Sequence, residues 1–117
     1  MKYLLMLTGD GAVRQWATLT PDEQAVLMVR FEEFGAACAA APGVEILSGD
    51  ALLPGSTATT IRRGGGNRVV TEGPYADIYE GLGGFYLMEV PDLDTLLTLS
   101  DILPPYDMEL RPIDAME

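Results

Sequence analysis

Apolar residues fill both odd and even positions of Lys2-Tyr3-Leu4-Leu5-Met6-Leu7, and again of Phe85-Tyr86-Leu87-Met88-Glu89-Val90 after Gly83-Gly84. Such unbroken short runs predict strands buried on both faces. Between them, Thr8 to Leu19 reads as a loop whose large anchor is Trp16, placed either to plug the core or to lid a cleft. Thr20-Pro21-Asp22-Glu23 then sets a hydroxyl at a helix N-cap, Pro at the first turn and Glu three residues after the cap. This is a capping box. Leu27, Phe31, Phe34 and Cys38 follow at helical spacing, and Pro42-Gly43 ends the helix after about 22 residues.

Val44-Glu45-Ile46-Leu47 predicts a short strand, and Gly49 to Gly55 a turn-rich connection. Ala58 to Arg62 and Arg68 to Thr71 are β-prone runs on either side of Arg63-Gly64-Gly65-Gly66-Asn67, which predicts a hairpin. The triple glycine has no Lys-Ser/Thr after it and opens no helix, so it reads as a hairpin tip rather than a phosphate loop. Pro91-Asp92 starts a second helix carrying Leu93, Leu96, Leu97, Leu99 and Leu103, closed by Pro104-Pro105. Met108 to Ile113 alternates and forms the last strand.

The order β, α, β, hairpin, β, α, β predicts one domain over residues 1–117: an α+β, ferredoxin-like βαββαβ sheet with a β-hairpin insertion and both helices on one face. Two helices leave the other face bare, although the strands are apolar on both sides. Four strands at ~4.8 Å spacing and six residues at ~3.3 Å rise make a face of roughly 400 Å², at the limit of what a monomer exposes. A homodimer through the sheet faces is the expected cover.

Charge narrows the function classes. The 117 residues hold 18 Asp and Glu against 7 Lys and Arg, a net charge of −11, which disfavours nucleic acid and anionic membrane as partners. With no His and a single Cys, the usual carriers of a Ser-His-Asp relay, a zinc site and a haem are missing, and no cofactor is expected. Cys38 lies on the helix stripe, with nothing positive placed to lower its pKa, and reads as a small core hydrophobe. The apolar run Tyr3 to Leu7 is too short for a signal-peptide core, so a cytoplasmic location is expected.

Glu72-Gly73-Pro74-Tyr75-Ala76-Asp77, followed by Leu82-Gly83-Gly84-Phe85-Tyr86-Leu87-Met88-Glu89-Val90, resembles the YCII-related family in its DGPF-motif branch, as do Met1-Lys2-Tyr3 and Met108-Glu109-Leu110-Arg111-Pro112-Ile113 at the two ends. The resemblance implies a dimeric α/β barrel of unassigned activity. It also implies a possible link, through gene neighbourhoods, to extracytoplasmic-function sigma factors. Gly73, Pro74, Gly83, Gly84 and Phe85 match the motif positions. Glu72 stands where the motif has Asp, Tyr75 where it has Phe, Asp77 where members usually carry Glu, and Tyr79 where they often carry Lys. The His-Asp pair proposed as catalytic in other members has no His here, so the resemblance argues against an enzyme of that type.

The candidate site is the segment Glu72 to Glu80, where Glu72, Tyr75, Asp77, Tyr79 and Glu80 crowd beside glycines that let a ligand approach backbone closely. Arg62, Arg63 and Arg68 on the hairpin either clamp a small anion or neutralise neighbouring acids, and Trp16 is the candidate lid. The residues favour a small-molecule binding or regulatory dimer with a pocket beside this loop. The alternatives are a cofactor-free hydrolase- or monooxygenase-like enzyme using Asp77 or Glu80 with a tyrosine, a sigma-factor partner, or a plain turn with solvated carboxylates.

Overall fold

The computed structural model describes residues 1–11 and 13–115. Its elements are β1 (Lys2–Gly9), α1 (Pro21–Ala40), β2 (Glu45–Ala51), β3 (Thr59–Arg62), β4 (Val69–Glu72), β5 (Gly84–Glu89), α2 (Leu93–Ser100) and β6 (Asp107–Pro112). Four of the strands form one antiparallel sheet in the order β2-β5-β1-β6, and β3 and β4 form a separate hairpin. Without the hairpin this is the ferredoxin-like interleaving of two βαβ halves.

Sequence and cap chemistry explain both helices. The Thr20 N–H donates to Glu23 Oε1 at 2.9 Å and the Glu23 N–H to Thr20 Oγ1 at 3.2 Å, so the capping box forms as expected. Asp92 caps α2 by accepting from the Thr95 N–H at 2.8 Å. Arg30 of α1 reaches across to donate to the carbonyls of Asp101 and Ile102 at 3.1 and 3.0 Å. There it supplies positive charge to the C-terminal end of α2 and ties the two helices together.

The strands resolve their double-sided apolar pattern by alternation. Tyr3, Leu5 and Leu7 of β1 and Met88 of β5 turn toward the helices and join Phe34, Cys38, Leu96, Leu99 and Leu103 in the core. Leu103 packs from the turn after α2, not from the helix itself, which ends at Ser100. Leu4, Met6, Phe85 and Leu87 point the opposite way, paired across β1 and β5 as Leu4 with Leu87 and Met6 with Phe85. Around this half-buried apolar centre the register places Ser48 and Asp50 on one edge strand and Glu109 and Arg111 on the other. Among the described residues no helix covers this face.

The second strand runs further than its composition predicts. Instead of ending at Leu47, β2 shifts register between Ile46 and Ser48 and continues to Ala51, pairing Gly49 with Tyr86 and Ala51 with Gly84. Ser48-Gly49-Asp50 has turn composition, but an edge strand satisfies only one ladder and tolerates it. Gly49 is also needed sterically, since a Cβ there would lie 2.8 Å from Cδ1 of the Tyr86 ring.

The hairpin stands apart from the two layers. A radius of gyration of 16.2 Å exceeds the roughly 13 Å of a compact chain of this length. The extents of 49 × 46 × 18 Å leave the short axis only as thick as a sheet and one helix layer, so the hairpin reaches out beside the body rather than folding over it.

Candidate functional site

Residues 52–58 and 73–83, the two connections of the hairpin, meet at one end of the sheet, where β2 finishes beside the start of β5. The Leu52 N–H donates to the Gly83 carbonyl at 2.9 Å, and the Gly83 N–H to the Leu7 carbonyl at 3.0 Å, extending the ladder into the loops. Two short 3-10 turns follow, Gly55–Thr57 and Asp77–Gly81, and they lie directly against each other. A Cβ on residue 55 would come within 2.8 Å of the Glu80 backbone, so glycine sets this approach.

The two connections enclose an open cleft of about 360 Å³. Leu52, Leu53 and Pro54 form one wall, Pro74, Tyr75 and Tyr79 the other, with Leu82 also lining it. Tyr75 is held from behind: the Arg62 guanidinium lies 4.9 Å from its ring centroid and donates to its carbonyl at 2.6 Å, with a further bond to Thr71 Oγ1 at 3.3 Å. Cation–π contact and hydrogen bond together fix the ring's wall position. Thr60 fixes the hinge of the same loop, donating to the Gly73 carbonyl at 2.7 Å.

The candidate residues divide accordingly. Tyr75 and Tyr79, themselves 64% and 41% exposed, line the cleft and Arg62 braces it; Glu72, Asp77 and Glu80 are exposed as well and are not among its lining residues. Arg68 is exposed on the hairpin at the foot of β4, one residue before Val69, which pairs with Arg62. Trp16 sits in the 3-10 turn Trp16–Thr18 at 43% exposure, and its carbonyl accepts from Gln24 at 3.0 Å. It neither joins the core nor lines the cleft, so of the two roles open to it the core plug is wrong. The wall of Leu52, Leu53 and Pro54 was not foreseen. Its signal was present as an apolar pair in a connection otherwise built from turn residues.

Titration is perturbed in structural places. Burial raises the Cys38 thiol; burial, with Cys38 beside it, raises Tyr86; and burial, with Asp10 nearby, raises Tyr106. Helix-cap hydrogen bonds lower Glu23, which also accepts from the Arg14 guanidinium, and Asp92. None of these five groups lines the cleft. A second, smaller hollow of about 230 Å³ lies between Arg30, Tyr106 and the Leu103–Pro105 turn, where Arg30 is already bound to carbonyls. Among the described residues there is no group of three or more His, Cys, Asp or Glu side chains close enough to hold a metal ion, and no helix long and apolar enough to cross a membrane.

A sheet of this order with an inserted hairpin and a cleft at its end defines an α+β protein of the ferredoxin-like class. The YCII-related domain matches residues 1–113, and the chain belongs to that family. It is similar to an uncharacterized protein of Rhizobium meliloti (strain 1021), 41% identical over 67 residues covering 53% of this chain. The match takes in about half of that protein's length, 54%.

Proposed function

We propose that the chain is a non-catalytic small-molecule binding protein whose ligand, an aromatic or branched apolar group with an anionic end, sits in the cleft between Leu52-Leu53-Pro54 and Pro74-Tyr75-Tyr79. The single observation that carries this is the cleft itself: apolar walls from two separate connections, with a braced tyrosine and a cation behind it. Ligand sites are mostly apolar concavities with a few placed polar groups. Arg62 does not line the cleft, but its guanidinium behind the Tyr75 ring puts positive charge beside it, which favours an anionic end. Pro74, at a position the chain shares with the DGPF-type motif, is part of the wall. Against catalysis stands the exposure of Glu72, Asp77 and Glu80, since an activated carboxylate usually owes its basicity to burial.

The working unit in this reading is a homodimer through the open sheet face. Leu4, Met6, Phe85 and Leu87 form an apolar centre with Asp50, Glu109 and Arg111 around it, the anatomy of an interface.

A thermal-shift screen with 4-hydroxybenzoate, phenylacetate and inorganic phosphate tests the ligand. An aromatic carboxylate present at about 100 times its Kd adds roughly 2.7 kcal/mol of stability, a shift of several degrees. Tyr75→Ala and Leu53→Asp should each abolish it. Stabilisation that survives both variants, or none by any aromatic carboxylate, contradicts the reading.

A further inference from the structure

The hairpin of β3 and β4 has two unlike faces. Thr60 and Arg62 turn toward the 73–75 segment and bond to the Gly73 and Tyr75 carbonyls. Alternation sends Ile61 and Val70, directly paired across the strands, to the opposite side. They are 53% and 52% exposed, an apolar pair on an arm that stands away from its own core. Two-stranded hairpins are marginal alone in water, so a covered face would change the arm's stability as well as its surroundings.

We propose that this face docks on a second copy of the chain, so that two arms clasp the dimer formed by the sheets. The inference rests on the sheet-face dimer proposed above, and two observations select this occupant. The first is charge. The arm carries three of the seven basic residues, Arg62, Arg63 and Arg68, and one of the 18 acids, Glu72. The remainder of the chain therefore holds four basic residues against 17 acids, from 7 less 3 and 18 less 1. Arg63 and Arg68 flank the tip glycines and are exposed, with Arg62 alone committed to the cleft. A positive arm on a strongly negative body complements another copy of that body.

The second is area. Two sheet faces of roughly 400 Å² bury about 800 Å² in total, short of the ~1,200–2,000 Å² of a stable interface. Each arm face spans about four residues by two strands, roughly 130 Å², and burying it against an equal area of the partner twice adds about 500 Å². Sheet and arms together reach the lower end of the stable class.

Sedimentation velocity on the full chain, with a fluorescent label and protein from nanomolar to micromolar concentrations, tests the clasp. Arg63→Glu with Arg68→Glu should weaken the dimer at least about tenfold and flatten its salt dependence between about 50 and 500 mM NaCl. Ile61→Ser with Val70→Ser, which keeps the charges, should weaken it comparably but leave the salt dependence intact. Because the arm lies outside the core, both double variants should keep native circular dichroism. A wild-type dimer matched in affinity by both variants overturns the clasp and leaves the sheet interface standing. A wild-type monomer throughout overturns both.

Discussion

At the scale of single residues, burial identifies the core. Cys38 is a packing residue at 1% exposure beside Phe34, and burial raises its thiol above the ordinary value. Native protein should therefore resist iodoacetamide at pH 8 while protein in guanidinium reacts at once; fast native labelling would show that the α1 stripe opens readily. Leu5, fully buried at the centre of β1, should cost about 2–5 kcal/mol on replacement by Ala, read from chemical denaturation. Leu87, on the uncovered face, carries no such burden within the monomer. The alternation that distinguishes it from Met88 was not legible in the sequence, because both neighbours are apolar and either phase would fit.

At the scale of elements, the helices were read from their ends and the strands from their centres. The Thr20-Pro21-Asp22-Glu23 box specifies its own geometry locally, and it forms as the sequence implies. Thr20→Ala should lower stability by about 1 kcal/mol. The caps also set an acid response. Glu23 and Asp92 have folded-state values depressed below 4.5 and 3.8, so their contribution is complete above those values and is lost as pH falls through the depressed ones. Asp92→Asn keeps an N-cap acceptor and should flatten the loss of thermal stability below about pH 4; an unchanged acid limb would remove Asp92 from the account. The end of β2 was illegible for the opposite reason. Ser48-Gly49-Asp50 has the local chemistry of a turn, and only the partner strand β5, some forty residues away, makes it a strand. The cleft has the same character: Tyr75 and Tyr79 stood out as residue types, but their opposite wall is made by pairing that brings residues 52–54 alongside them.

At the scale of the whole molecule, the two apolar sides of the sheet were legible before the register was known. Apolar residues stand at both odd and even positions of the two central strands, and the helices of the described residues pack on one side. The hairpin's reach could not be read the same way, since β-prone runs and a glycine tip predict a hairpin without saying where it points. Sedimentation equilibrium of the wild-type chain and of Leu87→Asp at micromolar concentration tests the two-faced sheet most directly. The wild type should sediment at about twice 12.6 kDa, and Leu87→Asp at 12.6 kDa with native circular dichroism, because the new charge disrupts an interface and not the core. A wild-type chain that stays at 12.6 kDa, or a Leu87→Asp chain that remains dimeric, would contradict it.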